Sequence, residues 1–174
     1  MALLTRKRVI LIEAESSYGT DPGMASSTVV LVTELSITPQ SSDVVNRDVV
    51  RPYLGASEQL LANTRVECTF SVELAGSGTA GAAPRYGDAI KACGFSEAIV
   101  SNTSCTYAPV SSSFSSISIH YNVDGIRHIV TGCRGSFTIS AEVGSIPTID
   151  FTFTGIYNAP TDNALPTVAY GNQA

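Results

Sequence analysis

VELAGSGTAGAAPRYGDAIKACGF, residues 72–95, joins a β-strand to a helix. Upstream, Val66, Cys68, Phe70, Val72 and Leu74 alternate with Glu67, Thr69, Ser71 and Glu73, the period of a strand buried on one face. Downstream, Tyr86, Ala89, Ile90 and Cys93 form an apolar stripe at helical spacing between Pro84 and Gly94, residues that favour a helix start and a helix stop. The spacing predicts one helix over residues 84–93, packed through Tyr86, Ile90 and Cys93. It is the only helical pattern in the chain, so the protein is mainly β.

Between strand and helix, Gly76-Ser77-Gly78-Thr79-Ala80-Gly81 matches G-x-G-x-x-G, the letters of a dinucleotide-binding turn. The helix starts too late for its free N–H groups to meet a pyrophosphate. The strand alternates, whereas strands of a doubly wound sheet are apolar on both faces. Glu97 stands near the place of a ribose-binding acid, but no second helix completes a crossover. The stretch reads as a Gly/Ala loop.

Working outward, residues 6–14 read as a first strand and residues 17–27, with Gly19, Pro22 and Gly23, as a loop. Residues 28–33 and 34–45 read as extended, the second carrying Pro39 at an edge or bulge. Residues 46–63 lack clean periodicity and read as a long loop. Residues 63–74 form a long strand, and a Ser/Thr-rich connection follows the helix at 101–104. Residues 114–123 and 126–132 form a hairpin turned at Asp124-Gly125. In that register Tyr121 faces His128 and Ile119 faces Val130, while His120, Asn122, Arg127 and Thr131 share the other face. Residues 136–142 and 148–157 are the last strands, with Phe151 and Phe153 inward. Residues 158–174 read as an arm. About eight strands and one helix indicate a β-sandwich or barrel-like domain with the helix on its side.

The chain has 174 residues, the length of a single domain, spanning 1–174. Charged residues are 14%, below the usual ~25%, which suits a surface covered by other subunits. The net charge of −5 argues against a groove that grips nucleic acid. No stretch has the pattern of a signal peptide or a membrane span. Cys68, Cys93, Cys105 and Cys133 include no C-x-x-C pair, so no zinc or redox motif is indicated. Cys68 and Cys93 read as small core residues. The two histidines lie on opposite faces of one hairpin and cannot share a metal, and no G-x-S-x-G or Ser-His-Asp set is present. The expectation is a protein with no catalytic site and no cofactor.

Several segments, taken in order, resemble the major tail tube protein of long, non-contractile-tailed bacteriophages, in the form found in transposable phages and related prophages. They are EAESSYGTDP at 13–22, the stretch at 72–95, YAPVS at 107–111, HYNVDGIRHIVTGCRGSF at 120–137 and IPTIDFTFTGIYNAPTD at 146–162. The resemblance implies a tail-tube fold whose subunits form hexameric rings, stacked into a hollow tube that carries DNA without binding it specifically. It implies assembly around a tape-measure protein in the host cytoplasm, with tail-tip and terminator proteins as partners, a place in the virion tail, and no membrane. The alternatives are a tail terminator or capsid decoration protein, and a ligand-binding β-barrel.

The resemblance also implies an inner sheet. Its lumen-facing candidates are Glu67, Thr69, Ser71 and Glu73, with Asn122, Arg127 and Thr131 from the adjoining hairpin. In residues 46–63, Val49, Val50, Tyr53, Leu54, Leu60 and Leu61 are costly to leave in water. They interleave with Arg47, Asp48, Arg51 and Glu58, a mixture suited to an interface. The loop is therefore expected to grip the next ring, with Val49, Val50, Arg51, Tyr53, Leu54, Leu60 and Leu61 as its contacts. The rival reading folds it back over its own subunit.

Overall fold

The computed structural model describes Leu4 and residues 6–52 and 54–170. Among these, the strands are β1 (Arg8–Ala14), β2 (Thr33–Arg47), β3 (Glu58–Glu73), β4 (Phe95–Val100), β5 (Ser104–Pro109), β6 (Ile117–Val123), β7 (Ile126–Ser140), β8 (Thr148–Tyr157) and β9 (Thr161–Asp162). One helix, α1 (Gly87–Ala92), lies between β3 and β4. β1, β6, β7, β8, β3 and β2 form one antiparallel sheet in that order, β9 adds to β7, and β4–β5 is a separate hairpin. The domain is mainly β and sandwich-like, as expected from the alternation.

The main sheet curls on itself. Leu11 bridges Val29, and the Val30 N–H donates to the Ile10 carbonyl at 3.2 Å. Residues 29–32 therefore lead from the free edge of β1 into β2 at the far end of the sheet. Ile10 and Ile12 of β1 share one core with Phe70 and Val72 of β3, and Leu35 and Ile37 of β2 pack against it. Across this core the inward residues of β7, β8 and β3 form rows. Phe137 pairs with Phe151, which pairs with Phe70. Phe70, Phe151 and Phe153 stack with ring centroids 5.4–5.8 Å apart. These rings fill the barrel with the shape-specific packing that aromatic clusters favour.

The helix is shorter than its sequence pattern. It begins at Gly87 rather than Pro84, because the Gly87 N–H first closes a turn onto the Pro84 carbonyl at 2.9 Å. It stops at Gly94, whose φ of +87° ends the right-handed turn. Tyr86, Ala89 and Ile90 are buried and Cys93 packs half-buried against the core, so the expected stripe is the packed face. The Tyr86 hydroxyl donates to the Ala75 carbonyl at 2.9 Å.

The Asp124-Gly125 hairpin has the expected register, with Tyr121 opposite His128, Ile119 opposite Val130 and Asn122 opposite Arg127. Several boundaries differ, the start of β6 at Ile117 rather than at residue 114 among them. Residues 126–140 are one strand, not two, because a bulge keeps the ladder continuous past Gly132. The connection at 101–104 is the turn of β4–β5, whose short strands carry no clean alternation. The loop expected over 46–63 is residues 48–57 only, since both flanks are paired strand.

Replacing Ile90 by Asp places an unpaired carboxylate where the side chain is 8% exposed. Urea unfolding of I90D is expected to give a loss of about 3 kcal/mol or more. A variant as stable as the parent would show that α1 is not part of the core.

Candidate functional surfaces

Four strands, β7, β8, β3 and β2, present one continuous polar face opposite the aromatic core. Its rows follow from the register: Arg134, Thr154, Glu67 and Thr38; Ser136, Thr152, Thr69 and Ser36; Thr138, Asp150, Ser71 and Thr33; then Ser140, Thr148 and Glu73. Hydroxyls dominate, and the carboxylates are held in place. Asp150 accepts from the Ser71 hydroxyl at 2.6 Å and from the Ser140 hydroxyl at 3.3 Å. Arg65 contacts Glu67 at 3.2 Å and Asp43 at 3.3 Å. Hydrogen bonds from Asn63 and Arg65 hold the Asp43 carboxyl below the usual range. Glu67, Thr69 and Glu73 reach the surface of this face, and Ser71 lies beneath Asp150.

Asn122, Arg127 and Thr131 do not join it. Asn122 and Thr131 are 2% and 4% exposed. An N-terminal strap, residues 15–28, and the C-terminal arm cross over this part of β6–β7. The Asn158 amide donates to Thr131 Oγ1 at 3.1 Å, the Ala169 N–H donates to the Ser26 carbonyl, and Val168 and Met24 pack on Val9, Leu11 and Val29. Residues 158–169 are thus folded on their own subunit. Beneath them His120, Asn122 and Arg127 line a cavity of about 350 Å³ with Asp21 and Asn163. Burial holds the His120 pKa below its ordinary value despite Asp21 at 2.9 Å. A polar sequence face was covered here by chain distant in sequence, which strand alternation does not reveal.

The β2–β3 hairpin projects. β3 pairs with β8 only from Arg65 onward, so residues 58–64 pair with β2 alone. At roughly 3.4 Å per residue this overhang reaches on the order of 20 Å. Val44 lies opposite Leu61 and Val45 opposite Leu60, and all four are more than half exposed. Val49 is exposed, and Val50 and Leu54 at the tip are fully so. Glu58 contacts Arg47 and Arg51, each at 3.6 Å. Tyr53 lies outside the described residues.

A residue that sequence reading did not single out holds the base of this architecture. The Glu15 carboxylate accepts four hydrogen bonds: Ser118 Oγ and Gly132 N–H at 2.7 Å on one oxygen, Ser116 Oγ at 2.7 Å and Gly19 N–H at 2.8 Å on the other. Gly132 sits in the β7 bulge with φ +62°, where a Cβ would meet Ile156 and the Tyr18 ring. Tyr18 lies in turn under the Arg134 guanidinium at 4.8 Å. Partial burial alone would raise the Glu15 pKa, but the Gly132 amide, the two serine hydroxyls and the Gly19 amide together outweigh it and hold the carboxyl below its ordinary value.

The glycine-rich loop is occupied with itself. The Ser77 hydroxyl lies 2.9 Å from the Thr79 carbonyl and 3.0 Å from the Ala82 carbonyl, donates its one proton to this pair and accepts from the Thr79 N–H. Gly81 is required by packing, because a Cβ there would strike the Val100 carbonyl at the β4–β5 turn. Glu97 accepts from the Tyr107 hydroxyl at 2.6 Å. Among the described residues no group of His, Cys, Asp and Glu is placed to hold a metal. The four cysteines are free thiols, and burial pushes Cys68 and Cys93 up to about 12.

The chain matches the phage tail tube protein family over residues 5–174 and belongs to it. It is a structural, non-enzymatic component of a virion tail. No curated protein sequence matches it. Among solved structures it resembles the tube-terminating cap of the anti-feeding prophage, with 12% identity, a TM-score of 0.52 and coverage of 94% of this chain and 93% of that one. It also resembles a chain of the PVC sheath–tube complex of an extracellular contractile injection system, with 10% identity, a TM-score of 0.46 and coverage of 89% and 88%. At 12% identity the likeness to the cap protein is one of fold.

Glu15→Gln replaces one acceptor oxygen by an NH2 group aimed at a backbone N–H that cannot turn away. Chemical denaturation at neutral pH is expected to show a loss of about 1–3 kcal/mol. Because the folded pKa is depressed, the Glu15 contribution is complete above its unfolded value of about 4.3 and is lost as pH falls through the folded value. The stability gap between parent and E15Q should therefore narrow in acid; a gap that is constant with pH would remove the charged carboxylate from this role.

Proposed function

We propose that this chain forms hexameric rings that stack into the hollow tail tube of a long, non-contractile phage tail, and that DNA leaves the virion through its lumen. The observation that carries the reading is the four-stranded polar face with unpaired edges on both sides. Among the described residues β2 has no strand on its outer edge, and β7 has none beside residues 134–140, because β6 leaves it at Cys133. The order β7-β8-β3-β2 contains an even number of alternating strands. A neighbouring β7 placed beside β2 is therefore antiparallel to it, and a head-to-tail ring continues the ladder without a break in direction. Such a ring removes edges that are an aggregation hazard in a lone subunit.

In the ring the polar face becomes the inner wall, with Glu67, Thr69 and Glu73 toward the lumen and Ser71 supporting Asp150. Asn122 and Thr131, being buried, are not part of it. Carboxylates exceed cations on this wall, so phosphate is repelled and DNA slides. The hairpin, with Val49, Val50, Arg51, Leu54, Leu60 and Leu61, grips the next ring. Assembly proceeds in the host cytoplasm around a tape-measure protein, between a tip complex and a terminator. A terminator reading of this chain itself is disfavoured by the apolar hairpin, which suits repeated stacking rather than one closed ring.

Electron microscopy of the purified protein is expected to show rings and long hollow filaments. Single rings that never extend would support the terminator. Replacing Glu67 and Glu73 by Lys changes surface side chains and should alter stability by only about 0.5 kcal/mol. Tails carrying both lysines are expected to eject DNA more slowly through added phosphate attraction; an unchanged rate would move this face out of the lumen. Deleting residues 44–61 and closing Asp43 to Ala62, which already face each other, with an Asn-Gly turn should leave a folded subunit that no longer forms filaments. Tubes of normal length from this variant would place ring stacking elsewhere.

A further inference from the structure

We infer that the hairpin of one ring is received by the β7–β8 turn of the next, at Leu74, Ile139, Val143 and Ile146. This inference rests on the stacking role proposed for the hairpin. Indefinite stacking by translation and rotation needs two different surfaces at opposite ends of the subunit, one that gives and one that receives. β3 spans the whole wall and so relates the two ends. It enters from the hairpin at Glu58 and finishes at Glu73, beside Thr148 of β8 and Ser140 at the end of β7.

That far end carries the second cluster of exposed apolar residues on the same sheet. Val143 is fully exposed, Ile146 is 66% exposed, Ile139 54% and Leu74 44%. They are held together rather than scattered. The Leu74 N–H donates to the Pro147 carbonyl at 2.9 Å, the Ser145 N–H closes the turn onto the Glu142 carbonyl, and Gly144 supplies φ +90° at its corner. Leu74 continues the inward-facing register of β3 past Val72, and Ile139 stands in the same row as Ile149 and Val72, so the cluster is the uncovered end of the barrel core.

Chemistry and shape both match the hairpin. Its ribbon is apolar on both faces, since the paired positions Val44–Leu61 and Val45–Leu60 are neighbours along each strand and therefore point to opposite sides. A ribbon of this kind is covered only when it enters between neighbouring bodies. The ends of adjacent subunits in a ring supply such a gap, floored by the turn. Arg47 and Arg51 both contact Glu58 within the hairpin itself, and the acceptor offers Leu, Ile and Val to the apolar positions of the ribbon.

The test uses the full-length chain. Val143→Asp with Ile146→Asp changes only exposed side chains, and circular dichroism and urea unfolding should match the parent. Electron microscopy should then show rings without filaments. In a second arm, Leu60→Cys and Ile146→Cys are placed in the same chain and oxidised after assembly. A ladder of disulfide-linked multimers is expected, absent from either single variant. Normal filaments from the double Asp variant, together with no Leu60–Ile146 ladder, would overturn the acceptor assignment while leaving the hairpin deletion free to confirm stacking. If the parent itself forms no filaments, this inference and the tube reading both fall.

Discussion

One inserted residue in β7 sets the geometry of the whole domain. Between Thr131 and Arg134 this strand advances three residues while β8 advances two, and β6 sees the same step between its own residues 117 and 119. The inward side chains change from even to odd numbers there, from Val130 to Cys133 and Phe137. A single strand can thus serve a first half that lies under the terminal segments and a second half that belongs to the open polar face. Bulges of this kind bend a strand and raise its twist. The Glu15 carboxylate holds this one at the Gly132 amide and, through Gly19, ties the N-terminal strap to the same point.

Two kinds of surface follow. Where the terminal segments cross, polar side chains become interior, and His120 and Thr131 find partners within the chain, in Asp21 and Asn158. Where nothing crosses, hydroxyls and carboxylates stay in water and the backbone edges stay unpaired. Two groups of exposed apolar residues lie at the two ends of β3 and not on its polar face. A subunit with a polar wall, open edges and apolar ends has the surfaces that the proposed stacked rings would use.

The low charge content acquires a physical sense in that setting. Surfaces destined for burial against copies of the same chain avoid Lys and Glu, whose desolvation is costly. Some of the charges that remain are engaged with one another, as Arg65 is with Asp43 and Glu67 and as Lys91 is with Asp88. Serine and threonine fill the wall instead, and they pair with neighbours across strands.

The sequence by itself determined the period of each strand, and with it which side chains share a face. Alternation in 66–74 and 148–157, the Asp124-Gly125 turn and the stripe ending at Gly94 were all readable, because they depend on neighbours within a few residues. So was the late start of the helix after Gly76–Gly81. Tertiary structure alone decided which polar face met water. Glu67, Thr69 and Glu73 stayed open, whereas Asn122 and Thr131, equally polar and equally periodic, were covered by segments roughly a hundred and forty residues apart in the chain. It also decided that residues 58–63 are strand. Their pattern was obscured because that ribbon is exposed on both faces, and a strand with no core side leaves no alternation to read. The role of Glu15 was hidden for the same reason: its donors come from Gly19, Ser116, Ser118 and Gly132, brought together only when the sheet closes.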